Sequence, residues 1–302
     1  MIRLSFHLLD VFAEKPFTGN GLAVVAEADG LDLQQMQAIA REFNLSETAF
    51  VLAPRDPVHT ARLRIFTPTT ELPFAGHPTI GAACLIASLR APDMIGRQPL
   101  QIVLEEQAGA VVCEVSRFKN VLRGSFVPPQ PPKLGGVLPD RAEIAAALGL
   151  GEDEIGFDAH ESAVASAGLP FAFVPVDSLS ALNRLTPDFS RFSAAFGREP
   201  AGVFVYARET ADPAHHVQAR VFVPGVGVSE DPATGSAAAA FAAVAVHFEQ
   251  PENGEHEIVI EQGFAIRRPS HIGLTLRVAG GVLVETRVGG ACVKLGEGVL
   301  NF

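Results

Sequence analysis

Residues 229–243 read SEDPATGSAAAAFAA, and residues 74–89 read FAGHPTIGAACLIASL. Each stretch places a polar, glycine-containing turn directly before a run rich in alanine, the residue with the highest intrinsic helix propensity. The runs that follow the turns are apolar on all helical faces, which is typical of helices buried inside a fold. The two stretches therefore predict two buried central helices that begin near Pro78 and Thr234.

The two turns belong to a longer internal repeat with an offset of 156 positions. At this offset the strand-like segment ARLRIFTP (61–68) aligns with VQARVFVP (217–224), and IVLEEQ (102–107) aligns with IVIEQG (258–263). Several coincidences at one offset indicate a repeated unit, and a repeat of this length predicts two half-chains of one design.

The repeat predicts an α+β fold with two pseudo-symmetric halves. Alternating apolar and polar residues indicate strands in each half, so each half is expected to be a curled mixed β-sheet wrapped around its central apolar helix. We expect an N-terminal half over 1–126, a stiff Pro-rich linker over 127–139 and a C-terminal half over 140–302, whose last strand can return to the N-terminal half. Because ligands favour crevices between domains, the site is expected between the halves.

The composition indicates an ordered globular protein without a polyanionic partner. The 302 residues are 48% hydrophobic and carry a formal net charge of −11, with no cluster of Lys and Arg of the kind that phosphate binding requires. No apolar run reaches the ~18 residues of a membrane span, and the N-terminus does not resemble a signal peptide. We therefore expect a cytoplasmic protein that binds neither nucleic acid nor membrane. The three cysteines lack metal-site or disulfide spacing, so no metal is expected.

Both turns are candidate sites for a carboxylate. A helix N-terminus presents N–H groups without helical partners and about half a positive charge, which together bind anions. Gly76 and His77 lead into the first helix, and Thr234, Gly235 and Ser236 play the equivalent part behind Asp231. The alternative is that each turn only caps a buried helix.

The chain resembles the phenazine-biosynthesis isomerase family, often called PhzF-like, over nearly its whole length. The motifs that carry this resemblance are DVFAEKPFTGNGLAVV (10–25), SETAFV (46–51), RIFTP…ELPFAGHPTIGAA (64–83), SAGLPFAFVPV (166–176), EDPATGSA (230–237) and EQGFAIRRPS (261–270). The resemblance implies a diaminopimelate-epimerase-like fold and catalysis without a metal or an organic cofactor, and it makes a homodimer a plausible assembly.

The resemblance also implies roles for particular residues. The glutamate of the S-E-T motif, Glu47, would carry the proton, assisted by His77 and Asp231. The positions that would hold the substrate are Asn20, Ser46, Gly76, Thr234, Gly235 and Ser236. Two departures from the family pattern are Ala75, where the family often has Cys, and Gly21, where it often has Pro.

Glu47 is also a candidate base on the evidence of the repeat alone. At the offset of 156, Glu47 aligns with Val203, so this acid has no counterpart in the other half. An acid that breaks the repeat at the start of a strand is a candidate base, and the alternative is a solvated surface glutamate. The adjacent His215 and His216 lie at the start of a strand and are expected to be solvated.

These observations favour a cofactor-independent isomerase that moves a proton within a small unsaturated or cyclic carboxylic acid, held between two helix N-termini. One alternative is an amino-acid racemase or epimerase of the same fold. That chemistry uses a cysteine at each helix start, where this chain has Ala75 and the pair Asp231-Pro232. The other alternative is a non-catalytic scaffold that binds a metabolite or a protein.

Overall fold

The structure is a computed structural model that describes residues 3–138, 140–224 and 229–302. The chain divides into two compact units. Unit 1 comprises Met1–Pro129, Arg268–His271 and Val288–Phe302, and unit 2 comprises Gln130–Arg267 and Ile272–Arg287.

Unit 1 contains eight strands ahead of its return segments, among the residues that the structure describes. They are β1 (Arg3–Val11), β2 (Asn20–Val25), β3 (Glu47–Leu52), β4 (Ala61–Phe66), β5 (Glu71–Leu72), β6 (Leu100–Glu106), β7 (Gly109–Phe118) and β8 (Val121–Phe126). The helices are α1 (Leu33–Phe43) and α2 (Gly76–Arg90).

Unit 2 repeats this mixture of strands and helices. Its strands are β9 (Lys133–Val137), β10 (Ala163–Ser166), β11 (Pro170–Pro175), β12 (Gly202–Ala207), β13 (Val217–Phe222), β14 (Glu230–Asp231) and β15 (Gly254–Gln262). Its helices are α3 (Arg141–Leu148), α4 (Leu179–Asn183), α5 (Phe192–Phe196) and α6 (Gly235–Glu249). The strands β16 (Ser270–Ala279) and β17 (Val282–Asn301) each contribute residues to both units.

The strands of unit 1 form a closed circuit. β1 pairs antiparallel with β2, β2 parallel with β3, β3 antiparallel with β4, and β4 parallel with β6. β6 continues antiparallel to β7 and β7 to β8, and β17 then pairs with both β8 and β1. Closure removes the exposed sheet edges that favour aggregation, and it produces a curled mixed sheet that accommodates a helix.

The same order of pairings recurs in unit 2. β10 pairs antiparallel with β11, β11 parallel with β12, β12 antiparallel with β13, and β13 parallel with β15. The strands Ala61–Phe66 and Val217–Phe222 have the same length and lie at the offset found in the sequence. The predicted α+β fold with two like halves is therefore confirmed. The segment Lys133–Val137, inside the expected linker, forms a strand that pairs with β10.

The predicted central helices are confirmed as α2 and α6. α2 begins at Gly76 after the extended Ala75, two residues ahead of Pro78, and α6 begins at Gly235. Every residue from Gly76 to Ala87 is buried, as is most of α6. Among the helices in the described ranges, none combines the length and the apolar character that a membrane crossing requires.

A carboxylate at the end of β6 holds the loop that leads into β4. Glu105 accepts hydrogen bonds from the backbone N–H groups of Arg55 (2.9 Å) and Asp56 (2.7 Å), and the Nδ1 atom of His59 lies 2.9 Å from its Oε1. These backbone hydrogen bonds, with that of Arg55 first, lower the pKa of Glu105 to about 2. The carboxylate is therefore ionised at neutral pH and acts as a fixed anchor.

Unit 2 contains the same carboxylate clamp at the same offset. Glu261 accepts hydrogen bonds from the N–H groups of Ala211 and Asp212, and the Nδ1 atom of His215 lies 2.8 Å from its Oε1. The expectation that His215 is solvated is wrong, because a fully buried carboxylate requires hydrogen-bond donors around it. The clamp shows that the repeat extends to side-chain contacts.

Candidate active site

Glu47 is the first residue of β3, where it aligns with Leu22 of the parallel strand β2. Its side chain is 15% exposed, so the carboxylate is shielded from bulk water and still reachable by a small molecule. Ser46 precedes it in a bend and is half-buried. A partly buried acid at a strand start fits the position of a proton-transferring group.

His77, the second residue of α2, lies against this acid. Its Nε2 atom is 3.5 Å from Oε2 of Glu47, and the imidazole side chain is only 4% exposed. This separation is longer than an ordinary N–H···O hydrogen bond of about 2.9 Å. Catalytic hydrogen bonds in ligand-free structures are often long and shorten when substrate is bound. The structure thus brings together two of the three residues predicted to be catalytic.

Asn20 fixes the hydrogen position on the His77 ring. The Nδ2 amide nitrogen of Asn20 lies 3.2 Å from Nδ1 of His77, and an amide nitrogen can only donate. Nδ1 therefore accepts, and the ring hydrogen is on Nε2, which faces Glu47. Burial lowers the pKa of His77 to about 3, so the ring is neutral at physiological pH and offers Glu47 an N–H donor rather than a positive charge.

The loop that carries Asn20 is held by a buried ion pair. Asp10, 1% exposed, accepts a hydrogen bond from Arg268, and its other carboxylate oxygen accepts from the N–H of Phe17 at 2.6 Å. Arg268 also donates to the carbonyl groups of Thr18 and Gly19, both at 2.9 Å. A charge pair with additional hydrogen bonds holds a loop more firmly than a solvated pair does.

Gly19 has a conformation that the loop requires. Its φ is +67°, and a Cβ at this position would approach the carbonyl oxygen of Val11 to 2.3 Å. Only glycine avoids both the backbone strain and this clash. The residue directly before Asn20 is therefore determined by the close approach of two backbone segments.

The N-terminus of α2 presents backbone donors beside Glu47. The carbonyl group of Ala75 accepts from Thr79 N–H at 3.2 Å, which closes the first helical turn. The N–H groups of Gly76 and His77 precede that bond and have no partner inside the helix. This geometry agrees with the predicted role of Gly76 in binding a carboxylate, which remains a prediction.

Thr79 connects this turn to a buried acid, Glu106. The Thr79 hydroxyl oxygen lies 2.7 Å from the carbonyl oxygen of Ala75 and 2.6 Å from Oε1 of Glu106. A hydroxyl has one hydrogen, and a carbonyl oxygen can only accept, so both contacts are hydrogen bonds only if Glu106 is protonated and donates. Burial raises the pKa of Glu106 to about 8, in agreement with a neutral acid at pH 7.

In unit 2 the turn before α6 is closed by its own side chains. The hydroxyl of Thr234 donates to Oδ2 of Asp231 at 2.6 Å, and Thr234 N–H donates to Oε1 of Gln262 at 3.0 Å. The Gln262 amide nitrogen in turn donates to the Asp231 carbonyl group at 2.8 Å. Asp231 is 8% exposed. The polar groups of Thr234 thus shape the turn, and its predicted contact with substrate remains a prediction.

Gly235 and Ser236 are the first two residues of α6. The first helical bond there runs from Ala238 N–H to the Thr234 carbonyl group at 2.9 Å, so the N–H groups of Gly235 and Ser236 have no partner inside the helix. They repeat the arrangement at Gly76 and His77. That the two turns act on one substrate remains a prediction.

Sequence reasoning missed the residues that support these turns. Asn20 was predicted to contact substrate, and its amide nitrogen instead lies on the His77 ring. Gln262 and Arg268 both lie in the motif EQGFAIRRPS, which was noted only as part of the family resemblance. Glu106 aligns with Gln262 at the repeat offset, and this alignment could have identified both as supports of the helix starts.

Comparison with known proteins agrees with this architecture. Residues 9–298 match the family model described as phenazine biosynthesis-like protein, PhzC-PhzF. An uncharacterised isomerase of Mesorhizobium japonicum is 45% identical over 300 residues, which cover 98% of this chain and 98% of that protein. The trans-2,3-dihydro-3-hydroxyanthranilate isomerase of Pseudomonas chlororaphis is 35% identical over 294 residues, covering 97% and 98%.

The fold has the same relatives. The crystal structure of a PhzF-family phenazine biosynthesis protein from Bacillus anthracis superposes with a TM-score of 0.88 at 26% identity and covers 100% of both chains. Family model, sequence relatives and structure all span nearly the whole chain. The chain therefore belongs to the PhzC–PhzF family of phenazine biosynthesis-like proteins and is an isomerase of that family.

Proposed function

We propose that this isomerase moves a proton within a small, unsaturated or cyclic carboxylic acid, with Glu47 as the proton carrier. The observation that carries the proposal is the line of contacts from Asn20 through His77 to Glu47, in which each group has a defined hydrogen-bonding role. The relative named as acting on trans-2,3-dihydro-3-hydroxyanthranilate supports a cyclic acid of this kind as substrate.

In the proposed reaction, the Glu47 carboxylate removes a proton from a carbon of the substrate. The electrons of the broken C–H bond enter the conjugated system of the acid, and Glu47 then returns the proton to a different carbon. No net oxidation or reduction occurs, and the double-bond position changes. Partial burial favours this role, since a shielded carboxyl holds a proton more readily near neutral pH than a solvated one.

His77 is proposed to orient the Glu47 carboxylate. A neutral imidazole with its hydrogen on Nε2 can donate to the carboxylate before the proton is taken up, without the charge that would make Glu47 a weaker base. The backbone N–H groups at Gly76 and His77 are proposed to bind the carboxylate of the substrate, with Ser46 beside them.

Unit 2 is proposed to contribute Asp231 as a second proton-handling group and the N–H groups of Gly235 and Ser236 as anion donors. The support is the closed turn, in which Thr234 and Gln262 hold the Asp231 carboxylate and backbone in place. An amino-acid racemase or epimerase has less support, because Ala75 has no acidic side chain at the first helix start.

The test is a comparison of Glu47→Gln with the unchanged protein. Trans-2,3-dihydro-3-hydroxyanthranilate and a panel of unsaturated cyclic acids are incubated in deuterated water, and deuterium incorporation is followed by NMR. Glutamine keeps the shape of the side chain and cannot accept a proton, so we expect turnover to fall by ~10²-fold or more. Ligand affinity should change little.

Glu114→Gln is the matched control, because Glu114 is an exposed glutamate on β7 and its replacement removes the same charge. Full proton exchange in Glu47→Gln, on a substrate that the unchanged protein isomerises, would exclude Glu47 as the base. Asp231 would then be the next candidate.

A further inference from the structure

Unit 1 has a second cavity, of about 600 Å³, at the ends of β4 and β6. Its charged lining consists of Arg55, His59, Arg62, Arg64, Glu105 and Glu106. Glu47 and His77 do not line it. The volume falls in the range of small-molecule sites, about 300–1,000 Å³.

Two of these charged groups are fully engaged with protein partners. Arg64 donates from Nε and Nη2 to both carboxylate oxygens of Glu71, each at 2.7 Å. Glu105 is saturated by the loop clamp described above. Neither group therefore has a free charge to offer a ligand.

Arg62 differs from its neighbours. Among the described residues its guanidinium forms no ion pair, and its Nε atom is buried without a hydrogen-bond partner. A buried donor without a partner is unfavourable by about 1–3 kcal/mol, and more where the donor is charged. Arg62 therefore presents an unsatisfied cationic donor in the cavity wall.

Glu106 presents an unsatisfied acceptor to the same cavity. The residue is 9% exposed, and its Oε1 atom is bonded to Thr79. Its Oε2 atom is buried and, within the part of the chain that the structure describes, has no hydrogen-bond partner. In the protonated acid that donates through Oε1, Oε2 is a carbonyl oxygen that accepts.

The internal repeat separates what the scaffold requires from what this cavity adds. The ion pair Arg64–Glu71 recurs in unit 2 as Arg220–Glu230, and the clamp at Glu105 recurs at Glu261. The other charged groups do not recur, since at the repeat offset Arg55, Arg62 and Glu106 align with Ala211, Gln218 and Gln262. The fold of a unit therefore does not need an arginine at position 62 or an acid at position 106.

We propose that this cavity binds a small oxyanion that carries a hydroxyl group, with the Arg62 guanidinium on the oxyanion and Oε2 of Glu106 accepting from the hydroxyl. Arg55, whose guanidinium lines the same cavity, adds positive potential. A hydroxycarboxylate and a protonated phosphate share this chemistry. The inference is independent of the proposed function, because it concerns residues other than those assigned to proton transfer.

The test measures binding of L-malate, succinate and inorganic phosphate by titration calorimetry at constant ionic strength and pH 6.5. Arg62→Gln should weaken binding of malate and phosphate by tenfold or more. Glutamine aligns with this position in unit 2, so this variant should fold, and its melting temperature verifies that. Arg97→Gln, which removes an exposed arginine from the same unit, is the control and should bind as the unchanged protein does.

Succinate has the carboxylates of malate without the hydroxyl, so it should bind more weakly than malate. Equal binding of the two acids would overturn the role given to Glu106. Equal binding of malate and phosphate to Arg62→Gln and to the unchanged protein would overturn the site as a whole. Proton exchange by Arg62→Gln should be unchanged, so a failure here is distinguishable from a failure of the proposed function.

Glu106→Gln adds a pH dependence to the test. The groups that face Glu106 are Arg62 and Arg64 on β4, Thr79 on α2, Cys113 on β7 and the loop with Arg55 and His59. Glutamine reproduces the neutral acid, with a donor toward Thr79 and a carbonyl oxygen toward the cavity. Raising the pH from 6.5 to 9.5 should weaken anion binding by about tenfold in the unchanged protein and leave Glu106→Gln unaffected. The same loss in both proteins would overturn the assignment of Glu106.

Discussion

Replacement of Glu106 by glutamine should stabilise the protein, and increasingly so as the pH rises. Glu106 has an ordinary pKa of 4.5 when the chain is unfolded and a pKa of about 8 when folded, because burial disfavours its ionised form. Between these two values the unfolded chain releases the proton and the folded chain keeps it. The free energy of unfolding therefore falls with pH across this window by about 1.4 kcal/mol per pH unit.

The expected magnitude follows from the two pKa values. Glutamine cannot ionise, so Glu106→Gln escapes a destabilisation of about 3 kcal/mol at pH 7 and about 5 kcal/mol above pH 8. Near pH 4.5 the unchanged protein and the variant should be equally stable, because Glu106 is protonated in both states. The hydrogen bond to Thr79 is retained, since the amide group donates to the same hydroxyl oxygen.

The assay is thermal unfolding of both proteins at pH 5, 6, 7, 8 and 9. At roughly 2 °C per kcal/mol for a chain of this size, the melting temperature of Glu106→Gln should exceed that of the unchanged protein by about 10 °C at pH 8.5 and by little at pH 5. Glu114→Gln, which removes an exposed carboxylate from β7, should show no such divergence. A constant difference in melting temperature across this pH range would refute the buried neutral acid.

Three further predictions concern the proposed reaction. Asn20→Asp replaces the donor at Nδ1 of His77 by an acceptor and moves the ring hydrogen away from Glu47, so kcat should fall by about tenfold or more with KM changed less, as steady-state deuterium exchange would measure; an unchanged kcat would argue against the tautomer assigned to His77. Asp231→Asn should lower kcat/KM by about tenfold or more if Asp231 handles a proton, and unchanged kinetics would remove it from the reaction. Exhaustive chelation of divalent metals should leave exchange unaffected, and loss of activity that zinc or iron restores would contradict a cofactor-independent reaction.

The sequence alone determined the architecture, because the architecture depends on patterns that are local or periodic. Alanine-rich runs apolar on all faces predict buried helices at α2 and α6, and the shared offset predicts the matched strands Ala61–Phe66 and Val217–Phe222. Glu47 could be selected because it breaks the repeat, and His77 because it follows a glycine at a helix start.

Only the tertiary structure decided how the side chains are paired and which of them are charged. Asn20 and His77 are 57 positions apart, and their contact depends on how β2 packs against α2, which no local pattern encodes. The neutral state of His77 and that of Glu106 follow from burial, since the sequence identifies an ionisable group and its surroundings set its pKa. For the same reason His215 could not be distinguished from a solvated histidine until the buried carboxylate of Glu261 was found beside it. Pairing and burial are properties of the packed chain, and they determine which of the residues visible in the sequence can do chemistry.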